Sequence, residues 1–293
     1  MSAMKDNVGV VKLFSYRIID KVFFYFSYFW YKLIIPFEVR SPRFSLWRYE
    51  FVYTAHKFFN YEYCLPWRFS TNLIVTRFGS FEIRHNTADA ANVSPAFERR
   101  DLNRLIKVIS SLGKMNQKVL FLDVGGDIGT YSIAIGNRFS SQEVDIICFE
   151  PIPDSAQLVR NNIKRNQRDN NVELMELALM DKQEDKLRIC LNTMAPGSSS
   201  VKGEGEEVFV KADRLDNLLK LRADKYDAIV LKIDVEGVEE NVLRGASDLL
   251  NRGIKTHLMV EDFIDTSIIK YLENEGWVFK GKYTEYNSWW QKN

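Results

Sequence analysis

Asp123, Asp127, Glu150, Asp234, Glu236 and Glu261 are the side chains whose spacing could do chemistry in this sequence. The first two bracket the glycines of FLDVGGDIGTYSIAIG, residues 121–136, where an apolar run meets Gly125, Gly126 and Gly129 and then a helical pattern. Such a turn commonly seats a pyrophosphate, but that ligand needs bare backbone N–H groups and no negative neighbours. The two aspartates supply the opposite field. Glu150 follows Gly129 by 21 residues, close to the roughly 20 at which an acid reads ribose hydroxyls in dinucleotide sites. The turn lacks the second glycine of G-x-G-x-x-G, and no G-K-[ST] for a triphosphate is present. The pattern fits a nucleoside with positive charge and no phosphate. S-adenosylmethionine is that ligand: its ribose for Glu150, its amino group and sulfonium for the acidic turn. A ligand-free turn is the bland rival, and it leaves Glu150 unexplained.

Asp234 with Glu236, and Glu261 with Asp262, end or follow two later apolar runs. In an open α/β sheet that edge is where ligands lie. Unpaired carboxylates gathered there would repel and raise one another's pKa, so something cationic belongs among them. Lys232 shares a face with Asp234 by strand alternation and reads as a structural ion pair at least as readily as a substrate contact. Asp234 is the first choice for a general base. Glu236 and Glu261 would orient an acceptor or join Asp234 in holding a divalent cation such as Mg²⁺ through oxygen ligands. The histidines fit a base poorly. His257 lies four residues before Glu261, roughly 13 Å back along a strand, and His56 and His85 lie outside the alternating region.

The elements that must position these residues alternate from about Leu102, as a doubly wound sheet requires. Strands are expected at VLFLDV (119–124), VDIICFE ending at Glu150, VELMELAL from 172, DAIVLKID and KTHLMVED. Helices are expected after the glycine turn, through DSAQLVRNNIKRN with Ala156, Val159 and Ile163 inward, and after the fourth strand, with Val238, Val242, Ala246, Leu249 and Leu250 inward and Gly253 as its stop. Glu239 and Glu240 are expected on the solvent side of that last helix. NLIVTRFGSFEIRHN reads as a hairpin around Gly79. KLRICL and EVFVKA pair across APGSSSVKGEGEE, residues 195–207, the most flexible piece by composition. WVFKGKYTEYNSWW supplies an antiparallel edge hairpin. Its Trp289 and Trp290 could stack on a sugar, although aromatics near a chain end more often close a core.

Composition sets the frame. The chain has 293 residues, 46% hydrophobic, enough for one large core with a small accessory region. Its net charge of +1 is unevenly spread: residues 1–80 hold eleven Lys or Arg and five Asp or Glu. No basic face and no D/N-P-P-F/Y motif mark a nucleic-acid substrate beyond that front end. Cys64, Cys148 and Cys190 have no metal-ligand spacing and read as buried thiols of a reducing compartment, the cytoplasm.

FLDVGGDIGTYS, CFEPIPDSAQLVRNNIKRN, GSSS, DAIVLKIDVEGVEENVLRGA and LMVEDF, in that order, resemble the FkbM-type family of class I methyltransferases over roughly residues 72–285. The resemblance implies a Rossmann-like doubly wound α/β sheet of seven strands and S-adenosylmethionine as donor. It implies O-methylation, in many members of sugar hydroxyls on glycans and glycolipids, in others of small natural products. Carried over, Asp123, Gly125 and Gly129 line the methionine end, Glu150 holds the ribose, and Ala178 and Leu179 border the adenine. The family's usual D-x-G-A-N-x-G departs here at Gly126 and Asp127, which places an added charge beside the donor. Its K-I-D-x-E-G pattern is intact from Lys232 to Gly237. A nucleotide-dependent oxidoreductase of Rossmann type is the alternative that Asp127 argues against.

Residues 1–70 form an expected accessory region, aromatic and basic, ahead of a methyltransferase domain over 71–293. Within residues 17–37 a helix would carry Arg17, Lys21, Tyr25, Tyr28 and Lys32 on one side and Ile19, Val22, Phe23, Phe26, Phe29, Trp30 and Leu33 on the other. The stretch is too interrupted to span a bilayer, which needs about 20 apolar residues. It suits peripheral contact with the lipid headgroup boundary, or packing on protein.

Overall fold

The computed structural model describes residues 73–76, 78–84, 87, 89–93, 98–193, 195–263 and 266–292. The expected accessory region 1–70, the helix over 17–37, His56, His85 and Cys64 lie outside the described residues.

The described residues open with the hairpin β1 (Leu73–Val75) and β2 (Ser80–Glu82), then α1 (Asp89–Asn92) and α2 (Arg99–Gly113). The doubly wound part follows: β3 (Val119–Val124), α3 (Thr130–Arg138), β4 (Val144–Phe149), α4 (Pro153–Arg165) and β5 (Val172–Met175). A small side sheet comes next, from β6 (Ala178–Leu179), β7 (Glu184–Leu191) and β8 (Glu206–Asp213). The chain returns through α5 (Leu215–Leu219), β9 (Ala228–Ile233), α6 (Glu239–Arg244), α7 (Ser247–Leu250), β10 (Lys255–Glu261), α8 (Ser267–Asn274), β11 (Val278–Lys282) and β12 (Asn287–Lys292).

Seven strands form the main sheet in the order β11-β12-β10-β9-β3-β4-β5. The five from β10 to β5 are parallel, and the β11–β12 hairpin closes one side antiparallel. Every residue of β3 and β9 is buried, because helices cover both faces of a parallel sheet. Val119 and Phe121 pack with α2 and α3 on one face, while Leu120 and Leu122 pack with α5 to α8 on the other. Strand order reverses between β3 and β9, and their register sets Asp123 opposite Lys232.

Three local expectations are corrected. VELMELAL is two strands in two sheets, β5 and β6. The helix after β9 breaks at Gly245, where a Cβ would meet the Met180 carbonyl oxygen at 2.0 Å; all five residues expected inward are buried nonetheless. Glu239 is not on the solvent side. It is 3% exposed, and its Oε1 accepts the backbone N–H of Val235 at 3.2 Å and of Gly237 at 3.1 Å. The Gly and Ser segment is tied down at Ser200, whose Oγ donates to the Glu236 carbonyl at 2.7 Å. Among the described residues no helix is long and apolar enough to cross a membrane.

Candidate active site

A cavity of about 450 Å³ opens beyond the carboxyl ends of β3, β4 and β9. Glycines shape its floor. Gly125 takes φ 80°, and a Cβ there would fall 1.8 Å from the Asp234 carbonyl oxygen, so the turn admits no side chain at this position. Gly126 is closed by Cys148, whose sulfur would sit 2.3 Å from an added Cβ. The N–H groups of Gly125 and Gly126 donate to the Phe149 carbonyl at 3.1 and 3.0 Å, and that of Asp127 donates to Glu150 Oε2 at 2.8 Å. The first three donors of the turn are therefore taken.

Glu150 lies on the cavity wall at 4% exposure. Its Oε1 accepts Ile152 N–H at 2.9 Å. Burial, then the Asp127 charge, push its carboxyl up to about 8 against the two N–H donors that favour the ionised form. Leu177, Ala178 and Leu179 line the same end with Phe149 and Ile152. Gly125, Asp127, Glu150, Ala178 and Leu179 all line this cavity. Asp123 and Gly129 do not line the cavity. Asp123 is 1% exposed; its Oδ2 accepts Ser132 N–H at 3.0 Å and Ser132 Oγ at 2.7 Å, which anchors the start of α3. Gly129, at φ 84°, permits the turn into α3 and packs near Val159.

At the other end Asp234, Glu236 and Glu261 come together, with one carboxylate oxygen of each within 4.8 Å of the others. Lys232, 3% exposed, lies beneath them: its Nζ is 3.3 Å from Asp234 Oδ2 and 3.6 Å from Asp123 Oδ1, donates to the Gly125 carbonyl at 3.2 Å, and lies 5.2 Å from the Tyr131 ring centre. Burial works against its charge, but Asp234, Asp123 and Glu98 outweigh that and hold its pKa above the ordinary value. Burial, then Asp234, raise Glu236 to about 7 and Glu261 to about 9. Glu261 Oε2 is buried with no hydrogen-bond partner.

Several wall residues have no counterpart in the sequence reasoning. Glu98, just before α2, faces the acidic trio; its Oε2 accepts Tyr131 OH at 2.7 Å and its Oε1 accepts Asn287 Nδ2 at 2.9 Å. Burial, then the Asp234 charge, push it up to about 7. Asn92, Phe263 and Tyr286 also line the cavity, the last two as an edge-to-face pair 5.4 Å apart. One backbone signal exists in the fold and not in the sequence. Of the five described non-glycine residues with positive φ, Glu98, Asp127 and Glu236 line this cavity, and such strain concentrates where function over-determines the backbone.

His257 does not line the cavity; it sits inside β10 between β9 and β12, so it is not at a sheet edge. Trp289 and Trp290 are core residues at 2% exposure each and do not line the cavity.

Sheet order, glycine turn and cavity position together define the class I S-adenosylmethionine-dependent methyltransferase fold. Residues 123–277, just over half of the chain, match the methyltransferase FkbM domain, and the protein belongs to that family. Among solved structures it is similar to a methyltransferase FkbM from Methylobacillus flagellatus KT, at 14% identity over 60% of this chain and 43% of that one, with a TM-score of 0.40. It is similar also to the Pyrococcus abyssi tRNA (uracil-54, C5)-methyltransferase bound to S-adenosyl-L-homocysteine, at 11% identity over 76% and 44%, TM-score 0.40. A third is the precorrin-6y C5,15-methyltransferase of Geobacter metallireducens GS-15, at 17% identity over 63% and 84%, TM-score 0.37. The chain spans less than half the length of the first two. No curated protein matches it.

Proposed function

We propose that this protein transfers a methyl group from S-adenosylmethionine to a hydroxyl of a sugar in a glycan or glycolipid. The observation that carries the reading is one cavity with two acidic ends: Glu150 beside the glycine turn, and Asp234, Glu236 and Glu261 across from it. Its volume suits a small ligand. A pyrophosphate coenzyme fits badly, because the N–H groups of Gly125, Gly126 and Asp127 already serve Phe149 and Glu150 and two carboxylates flank them.

Gly125, Glu150, Ala178 and Leu179 would hold the donor, with Glu150 offering its remaining lone pairs to the ribose. Bound there, the donor supplies an electrophilic methyl group. A sugar hydroxyl is a weak nucleophile, so attack calls for alignment and for proton removal. Asp234, 30% exposed and paired with Lys232, takes that proton. Glu261, pushed up to about 9, carries a proton at neutral pH and donates it in a hydrogen bond to the acceptor. Phe263 and Tyr286 offer an aromatic rim of the kind that packs on a sugar ring.

A second reading shares the same trio. Three carboxylate oxygens within 4.8 Å fit the all-oxygen coordination that Mg²⁺ takes, and a cation there would hold all three ionised and draw charge from the acceptor hydroxyl. The test is titration calorimetry with S-adenosylmethionine and with NAD, followed by radiolabelled donor with a fractionated glycolipid extract. Binding of the first ligand alone and label in a glycolipid fraction are expected; NAD binding, or label only in non-sugar fractions, refutes the proposal. Activity that survives exhaustive chelation removes the cation. We propose further that residues 17–37 bring the enzyme to a membrane surface where a lipid-linked acceptor resides.

A further inference from the structure

Arg84 belongs to no motif and stands 43 residues from Asp127, yet its guanidinium ties four segments together at the donor end. Nε donates to Asp89 Oδ2 at 2.8 Å, one terminal nitrogen donates to Asp89 Oδ1 at 3.0 Å and to Asp127 Oδ1, and the other donates to Ser155 Oγ at 2.9 Å. The Arg84 backbone N–H adds a bond to Asp89 Oδ2 at 2.9 Å. The end of β2, α1, the glycine turn and the start of α4 thus meet on one planar fork, a geometry a lysine could not reproduce. Asp89 is fully buried, and Arg84 and Asp127 are each 19% exposed.

Both oxygens of Asp127 are occupied. Oδ2 accepts Asn92 Nδ2 at 3.4 Å, and a Cβ on Gly197 would lie 3.1 Å from it. The strand that delivers Arg84 is itself fixed. Asn162 and Asn166, one helical turn apart on α4, hold the backbone of β2: Oδ1 of each accepts an N–H, from Glu82 at 2.6 Å and Ser80 at 2.9 Å, and Nδ2 of each donates to the carbonyl of the same residue, at 3.2 and 2.7 Å.

We infer that Arg84 is a positioning residue for the donor pocket, neutralising Asp127 and latching the segment that carries Asn92 and Glu98 onto the cavity wall. This rests on the donor reading above and changes one part of it: Asp127 holds the latch and does not serve the sulfonium. Donor affinity then depends on the Arg84–Asp127 pair, and equally for S-adenosylmethionine, which carries the sulfonium charge, and S-adenosylhomocysteine, which does not.

Titration calorimetry of the full chain with both ligands tests this. Arg84→Gln is expected to weaken both by about tenfold or more, the scale of a lost buried charge coupling. Asp127→Asn is expected to weaken both by a common factor. The double variant should bind better than Arg84→Gln alone, since one of the two acids orphaned by that change is gone. A purely structural residue would lower the unfolding temperature without this rescue. If Arg84→Gln does not fold, Asp127→Asn decides: both affinities weakened with their ratio unchanged supports the latch, and wild-type affinities or loss confined to S-adenosylmethionine overturns it. Wild-type affinities in a folded Arg84→Gln overturn it too. A wild-type protein that binds neither ligand refutes the donor reading instead.

Discussion

Lys232 Nζ lies 3.3 Å from Asp234 Oδ2, and this pair joins the buried floor of the cavity to its reactive wall. Asp234→Asn removes the proposed base and keeps the shape. Donor binding by calorimetry should survive while turnover falls by about 10²–10⁴, the range of a lost general base. Wild-type turnover in this variant would take Asp234 out of the mechanism.

Gly125→Ala should be among the most damaging small substitutions. Its methyl group would have to enter the space of the Asp234 carbonyl oxygen at 1.8 Å, on a φ of 80°, and strain of that kind costs about 1–3 kcal/mol before any shift of β9. A lowered unfolding temperature and loss of donor binding are expected. Gly113→Ala, with open space around its Cβ position, is the control and should leave donor binding unchanged.

His257 predicts acid sensitivity unrelated to catalysis. Burial, then the charges of Lys255, Arg104 and Lys280, lower its pKa from 6.5 to about 4. Between those values the unfolded chain binds a proton that the folded chain refuses, so stability is present above pH 6.5 and is lost as pH falls through 4. Denaturant midpoints of the wild type should drop more steeply from pH 7 to 4.5 than those of His257→Leu. Parallel profiles would reject the assignment.

Trp289→Phe separates core from acceptor. Its Nε1 donates to Asp101 Oδ1 at 2.8 Å, so the change should cost about 1–3 kcal/mol of stability in chemical unfolding. Donor affinity and acceptor KM should not move.

Removal of residues 1–40 should abolish sedimentation with anionic lipid vesicles, since the basic and aromatic stretch goes with it. Unchanged sedimentation would sink the membrane proposal.

The parallel core was readable because β3, β4, β9 and β10 each carry an apolar run with an acid within one residue of its end, and two-sided burial demands such runs. Asp234, Glu236 and Glu261 could be placed together from that alone. What escaped the sequence depends on distant atoms. The break at Gly245 is imposed by the Met180 carbonyl, and Glu239 turns inward because two backbone N–H groups capture it. Glu98 and Arg84 precede the alternating region, so no periodicity or spacing ties them to a site assembled from residues far along the chain.

The asparagine pair on α4 has an effect beyond holding Arg84. A strand as short as β2, paired among the described residues with β1 alone, would ordinarily offer its other margin to any neighbouring chain. Asn162 and Asn166 occupy that margin with their side-chain amides. They imitate a third strand beside β1 and β2 without supplying one, and so protect this hairpin from self-association.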